Sequence, residues 1–227
     1  MLTLSTLAFE WDDDSVSTTN SSGTARRTGY HHGDLRNALT DAATELAKSG
    51  GPEAVVLREA ARHVGVSATA AYRHFANHAE LIHAVKERAL LRLTESMEHE
   101  LAELTPTGDG RADAEARLVA VGRGYLRFAL TEGGLFRIAF DQRDHELSKD
   151  ESTLNDVAAY QLLAHAVDDL VECGVLPAER RPYTETVIWA SVHGLAMLLL
   201  DGPLRQLPED ARLAAMARAG EVVLHGI

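Results

Sequence analysis

Trp189 and His193 stand four residues apart in the most apolar stretch of the chain, and their side chains could bind a small molecule. Residues four apart in a helix share one face, so the indole could form an aromatic wall and the imidazole a polar handle. The other interpretation is core packing around a hydrogen-bonded histidine, and the spacing leaves both open. Gly194, beside the histidine, would let another helix approach closely.

Further aromatic and thioether side chains lie on helices predicted to face this pair. They are Tyr125, Phe128, Phe136, Phe140, Tyr160 and Met197. We expect most of them to belong to the core, and only two or three to line a pocket.

Other reactive side chains lack the partners that catalysis or metal binding requires. His31 and His32 are adjacent, point in different directions and have no cysteine nearby, so we expect no metal and no cofactor. Cys173 follows acidic residues without a neighbouring base, which predicts an unreactive thiol. The sequence has no nucleophile elbow, no glycine-rich phosphate loop and no clearly framed pair of carboxylates. These patterns do not favour an enzyme.

The spacing of apolar residues predicts an all-α fold of about nine helices, and no convincing strand alternation is present. The predicted helices cover 33–49, 57–64, 68–75, 78–104, a segment around 118–128, 135–140, a segment around 157–171, 183–200 and 208–225. The helix over 183–200 is apolar around most of its circumference, so we expect it to be buried on several sides.

Residues 57 to 75 have the pattern of a helix-turn-helix. Gly65 suits a turn that needs a positive φ, and Ala61 is small enough for two helices to cross closely. Ser67 is a natural N-cap for the second helix, while Val64 and Val66 fill the wedge between them. Any helical hairpin can use such residues, so the pattern favours DNA binding without requiring it.

The residues around this turn resemble the TetR family of regulators. The resemblance rests on Gly65-Val66-Ser67, Ala71-Tyr72-Arg73-His74-Phe75, Glu80-Leu81-Ile82, and the opening helix with Leu35-Arg36-Asn37-Ala38-Leu39 and Ala42-Ala43. It covers about residues 30 to 90 and implies an N-terminal three-helix DNA-binding domain followed by a helical regulatory domain. The chain departs from the family pattern in two ways. His78 replaces a phosphate-contacting lysine, and the Ala70-Ala71 pair replaces bulkier residues, which puts base preference in doubt.

The resemblance implies that Ser67 to His74 is the helix that reads DNA. Short side chains would lie against base edges, the Tyr72 to His74 segment would contact phosphates, and an arginine pair in the preceding arm would enter the minor groove. Tyr30 would either contact phosphate or pack under the first helix. The candidate DNA-binding residues are Arg26, Arg27, Arg58, Ser67, Ala68, Thr69, Ala70, Tyr72, Arg73, His74 and His78.

The Trp189, His193 and Gly194 pattern resembles the WHG-type C-terminal domain found in part of the same family. Together with that resemblance, the aromatic residues above give a candidate ligand-binding set. It consists of Tyr125, Phe128, Phe136, Tyr160, Trp189, His193 and Met197.

The charge of the chain is unevenly distributed. The net charge is −12, yet residues 24–88 carry nine Lys and Arg against seven Asp and Glu, whereas the remainder carries 13 against 27. This asymmetry suggests a DNA-facing end and an acidic body. The sequence has no membrane span and no signal peptide, and a single cysteine suits a reducing compartment, so we expect a cytoplasmic protein.

These observations predict a homodimeric, ligand-responsive repressor that binds double-stranded DNA at a palindromic operator. We expect a disordered tail over 1–28, a DNA-binding domain over 29–77, and a regulatory and dimerisation domain over 78–227 whose connecting helix covers 78–104. Helices 183 to 225 would form the dimer interface, through Leu195, Leu198, Leu199, Leu213 and Met216. The alternatives are an enzyme or carrier whose hairpin only mediates assembly, and an activator or global DNA organiser.

Overall fold

A computed structural model of the chain describes residues 32–141 and 157–226, and in these residues the fold is all-helical, as the sequence predicts. The α-helices are α1 (His32–Gly50), α2 (Leu57–Val64), α3 (Ala68–Ala71), α4 (His78–Ala102), α5 (Gly110–Thr131), α6 (Gly133–Ala139), α7 (Ala158–Glu172), α8 (Thr184–Leu200) and α9 (Glu209–Gly226). Short 3-10 turns cover Gly51–Ala54 and Ala178–Arg180. The predicted tail, with Arg26, Arg27, Tyr30 and His31, lies outside the described residues.

Most predicted helix ends agree with the structure to within two residues, but α3 is shorter than predicted. It ends at Ala71 instead of continuing to Phe75. After Ala71 the amides of Arg73 and His74 bond to carbonyls only three residues back, at 3.3 and 2.9 Å. This tightening is common in the last turn of a helix, and it carries the chain to Phe75, which is fully buried.

Residues 32–77 form the N-terminal part of the structure, the head, and residues 78–141 and 157–226 form the body. The core of the head forms where Phe75 packs among small and apolar side chains from α1, α2 and the start of α4. These neighbours include Leu39, Ala43, Ala61, Leu81 and Val85, all between 0 and 1% exposed. Helix α4 therefore belongs to both cores, because Leu93 and Met97 farther along it are buried in the body.

Helix α6 joins the body to the head through a very close backbone contact. A Cβ atom added at Gly134 would lie 2.0 Å from the carbonyl oxygen of Ala47 and 2.7 Å from that of Lys48. Only glycine permits this approach. Beside it, Glu132 accepts from Arg92 of α4 at 2.8 Å, and Arg92 also pairs with Glu45 of α1 at 3.2 Å.

The prediction that α8 is buried on several sides is wrong for the single chain. One side of the helix packs inward through Ile188, Trp189 and Leu199, but Val187 is 63% exposed and Leu198 is 44% exposed. An apolar circumference is buried only where another element covers it, and no element of the described chain covers this side of α8. Within the described ranges, none of the helices has the length and apolarity to cross a membrane.

Candidate nucleic-acid interface and ligand cavities

The turn before α3 has the geometry that the sequence predicts. Gly65 adopts φ +79°, in the left-handed region, and its amide donates to the carbonyl of Arg62 at 3.2 Å. The amide of Val66 donates to the carbonyl of Ala61, which is 1% exposed where the helices cross. Ser67 caps α3, because its hydroxyl accepts from the amide of Ala70 at 3.2 Å. The local sequence therefore fixes the angle between α2 and α3.

The candidate DNA-reading side chains lie at the surface of the head. Ser67, Thr69 and Arg73 are exposed, and Tyr72 is 47% exposed. Ala68, Ala70 and His74 are half-buried, and Arg58 is exposed in the first turn of α2, which packs on α3. Apart from the arm at Arg26 and Arg27, the structure thus brings the predicted set to one small subdomain.

His78 makes a contact that the sequence does not predict. Its Nε2 atom lies 2.8 Å from the carbonyl oxygen of Val55, so Nε2–H donates and the start of α4 is tied to the segment before α2. In the neutral ring the remaining Nδ1 is an acceptor, whereas a phosphate requires a donor. While Nε2–H is bonded to Val55, a neutral His78 ring therefore offers no donor to a phosphate.

A clamp formed by Arg36 and Glu80 holds the end of the reading segment, and sequence reasoning missed it. Arg36 lies over the Phe75 ring at 4.3 Å, donates to the His74 carbonyl, and donates to Glu80 at 2.9 Å. Glu80 also accepts from the amide of Ala76 at 2.8 Å. That amide, followed by the Arg36 guanidinium, lowers the pKa of the Glu80 carboxyl. Both residues lie in the motifs that carry the resemblance, but 44 positions separate them, and no local pattern reveals the pairing.

The predicted aromatic residues of the body form one cluster around Tyr125. The Tyr125 ring lies 5.0 Å from Trp189 and 5.7 Å from Phe136, both edge-on, and its hydroxyl lies 2.7 Å from Nδ1 of His193. Burial raises the pKa of Tyr125 far above its usual value and lowers the pKa of His193. The phenol therefore keeps its proton and can donate to Nδ1 of a neutral His193 ring, and in that tautomer Nε2 carries the ring proton.

Most of the cluster is core, and a smaller part lines a cavity. Tyr125, Phe128, Tyr160 and Trp189 are buried and do not line it, and the Tyr160 hydroxyl bonds to Thr186 at 2.8 Å. A cavity of about 470 Å³ lies between head and body. Its walls are Phe136, Phe140, His193 and Met197 with Arg137 and Asp141 from the body, and Gly50, Gly51, Pro52 and Glu53 from the head.

Gly194 does not meet another helix within the described chain. A Cβ atom added there would have no neighbour within 4 Å, so no helix in the described part of the chain approaches α8 closely at that point. The reason is that Gly194 lies on the side of α8 that carries the exposed Val187 and Leu198. Across the described residues, no group of three or more His, Cys, Asp or Glu side chains could hold a metal ion.

Two family descriptions match the chain. "Bacterial regulatory proteins, tetR family" matches residues 39–85, which include α2 and α3. "Tetracyclin repressor-like, C-terminal domain" matches residues 118–223, which include the aromatic cluster. The second description does not test the WHG-type subclass, which stays a prediction.

Solved structures have a similar fold over most of the chain. A protein with unknown function from a Rhodococcus species is 27% identical with a TM-score of 0.68, over 87% of this chain and 97% of that one. The TetR family transcriptional regulator PfmR from Thermus thermophilus is 21% identical with a TM-score of 0.58, over 83% and 98%. At that identity the second match shows the fold alone. No curated protein matches the chain.

Proposed function

We propose that the chain, which belongs to the TetR family and is a DNA-binding transcriptional regulator rather than an enzyme, is a ligand-responsive repressor. It would bind a palindromic operator as a homodimer in the cytoplasm. In this proposal residues 29–77 form the DNA-binding domain and residues 78–227 the regulatory and dimerisation domain. The observation that carries the proposal is the exposed face of α3, capped by Ser67 and clamped at its end by Arg36 and Glu80.

The chemistry of this face suits base reading with little help from charge. Ala68, Thr69 and Ala70 are short, so the backbone of α3 can lie close to base edges in the major groove. The Thr69 hydroxyl can donate or accept, and its methyl group can touch a thymine methyl. Tyr72 and Arg73 are exposed one turn farther on, where they would contact phosphates and set position.

A homodimer is supported by the open side of α8. Val187, Gly194 and Leu198 fall on one face of the helix, and two of them are large, apolar and exposed. A second copy related by a two-fold axis could place its own α8 against Gly194. The prediction that Leu199 and Met216 belong to this interface is wrong, because they are 2% and 8% exposed and pack within their own chain. Leu198 and the half-buried Leu195 remain in the proposed interface, whereas Leu213 lines a groove against α5 and α8 of its own chain.

Ligand response is supported by the cavity between head and body. A ligand there would meet the Phe136 and Phe140 rings and the imidazole of His193, and it would also meet the Gly50–Glu53 segment of the head. A ligand that fits one arrangement of head and body better than another would shift the population between them. The shift would change the distance between the two reading helices of the dimer.

The experiment is a selection of genomic fragments by the purified full chain at ~150 mM salt. A specific regulator should favour its site by roughly 10³-fold or more over random DNA. With the selected site, Thr69→Ala should relax the preference at one base position by about 1–3 kcal/mol, whereas Tyr72→Ala should weaken all sequences equally.

Thr105→Ala is the matched control, because Thr105 is exposed in the loop at the far end of α4. A 25-residue helix separates that loop from the head, a length of about 37 Å, so the control should bind every sequence like the parent. A uniform loss from Thr69→Ala would show that the register assigned to α3 is wrong. The absence of any preferred fragment would overturn the proposal.

A further inference from the structure

A second opening lies on another side of the body, and none of the predicted ligand-binding residues line it. It is a groove between α5, α8 and α9 with a cavity volume of about 100 Å³. Val119 and Leu126 of α5, Val192 of α8, and Leu213 and Val223 of α9 form its apolar walls. One ordered water needs about 10–15 Å³ of such cavity volume, so the groove holds a molecule of about seven to ten non-hydrogen atoms.

Among the described residues, Arg123 is the only charged side chain that lines the groove. Its guanidinium pairs with Glu100 of α4, which is 3% exposed, and Glu100 also pairs with Arg127. Within the described part of the chain, no other carboxylate makes an ion pair with either arginine. The cluster thus carries one excess positive charge beside an apolar space, which favours an anion with an apolar tail.

Two glycines widen the groove although packing does not require them. Gly122 of α5 and Gly220 of α9 both line it, and a Cβ atom added at either would have no neighbour within 4 Å. Neither adopts a positive φ. Glycine is the least favourable residue in a helix interior after proline, so at both positions the chain forgoes helix stability and keeps the groove open.

We propose that this groove binds a monocarboxylate of about eight carbon atoms in all, with its carboxylate on Arg123 and its apolar tail along Gly122 and Gly220. The site is distinct from the cavity at His193. Ile188 and Val192 of α8 line the groove, whereas Trp189 and His193 of the same helix face the aromatic cluster. A bidentate guanidinium–carboxylate pair supplies both charge and orientation.

The position of Glu100 connects this site to the head, a step that rests on the proposed function. A bound carboxylate competes with Glu100 for Arg123, which changes how the end of α4 is held. The backbones of α4 and α5 lie very close together where a Cβ atom at Gly124 would lie 2.5 Å from Cα of Met97. At 1.5 Å per residue, Glu100 is about 5 Å from this pivot and His78 about 30 Å. In the proposed mechanism α4 turns as a rigid rod about this point, so a displacement at Glu100 becomes roughly sixfold larger at the head.

The test is isothermal titration calorimetry of the full chain with sodium octanoate, 1-octanol and octylamine. Octanoate should bind with roughly tenfold or higher affinity than 1-octanol, because the charged pair with Arg123 is missing from the alcohol. Octylamine should bind less tightly than either, because its ammonium group would meet the excess positive charge. Equal affinities for the three compounds, or no heat from octanoate at millimolar concentration, would overturn the proposal.

Three variants identify the site. Gly122→Leu and Gly220→Leu fill the groove from opposite walls, so each should abolish octanoate binding, while Gly122→Ala should retain it. Arg123→Met should remove the preference for octanoate over 1-octanol, and Arg123→Lys should keep it. Binding that persists in both leucine variants would contradict the assignment.

The alternative occupant of the groove is a second copy of the chain. If Gly122→Leu and Gly220→Leu convert a dimer to a monomer in size-exclusion chromatography with light scattering, the groove is an interface and the ligand proposal fails. With a selected operator fragment in hand, octanoate should lower operator affinity in the parent and leave it unchanged in Gly122→Leu. Equal operator affinity with and without octanoate in the parent would overturn the link through α4. The titration itself needs no DNA, so its outcome is separate from that of the fragment selection.

Discussion

The head exposes its candidate functional side chains, whereas the body buries most of its own. Thr69, Tyr72 and Arg73 lie at the surface, and different residues such as Phe75 hold the head together. In the body, Tyr125 is 1% exposed and is at once a core residue and the hydrogen-bond partner of His193. In the proposed function, recognition and stability rest on separate residues in the head, whereas in the body a buried residue such as Phe136 also lines the cavity.

The largest effect should come from the contact that joins the two regions. Gly134→Val places a Cβ atom 2.0 Å from the Ala47 carbonyl oxygen, so α6 must move away from α1. We expect a loss of about 2–3 kcal/mol in the free energy of unfolding by urea. Gly122→Ala is the control, since nothing lies near its Cβ, and it should gain up to about 1 kcal/mol. Equal stability of the two variants would show that α6 does not rest on α1.

Tyr125→Phe tests the contrast between head and body directly. It removes the hydroxyl that meets Nδ1 of His193 while keeping the ring, and loss of one hydrogen-bond partner at a buried site costs about 1–3 kcal/mol in the free energy of unfolding. Thr69→Ala, in the head, should change the free energy of unfolding by less than about 0.5 kcal/mol. Thermal and urea unfolding measure both. If Thr69→Ala destabilises the chain as much as Tyr125→Phe does, the separation of recognition from stability in the head is wrong.

His193 should make the stability of the body depend on pH. Because burial lowers its pKa, the unfolded chain takes up a proton at a higher pH than the folded chain does. The stability linked to His193 is then fully present above the unfolded pKa of about 6.5 and is lost as the pH falls through the folded pKa. The parent should lose more stability than His193→Phe between about pH 7.5 and 5, as urea unfolding at each pH would measure. Parallel pH profiles would contradict the burial of a neutral ring.

Substitution of Glu80 should have the smallest effect on the free energy of unfolding, and it tests the clamp with Arg36 of the head. Its folded pKa is lowered by the Ala76 amide and by Arg36, so its contribution is present above about pH 5 and disappears as the pH falls through the folded pKa. The pair is well exposed and screened, so Glu80→Gln should cost less than about 1 kcal/mol at pH 7. The control is Glu95→Gln, which replaces an exposed carboxylate of the same helix and should leave the free energy of unfolding unchanged at any pH. If Glu80→Gln lowers the free energy of unfolding by the same amount at about pH 3.5 and at pH 7, the clamp is excluded.

The helices and the turn could be predicted because their causes are local. Gly65 supplies the positive φ, Ser67 the cap, and apolar residues at helical spacing the buried stripes. The end of α3 at Ala71 and the open side of α8 could not be predicted, because the first depends on where Phe75 is buried and the second on whether any element covers Val187.

The all-helical class, the helix-turn-helix and the identity of the aromatic residues that gather in the body all follow from the amino-acid sequence alone. The tertiary structure was needed to show that Tyr125 bonds to His193 across 68 positions, that Arg36 meets Glu80, and that Arg123 faces a groove. Local hydrogen bonds and side-chain periodicity act over a few residues, so they can be read along the chain. Cavities and long-range pairs depend on how whole helices cross, and a single close contact such as that of Gly134 with Ala47 sets that crossing.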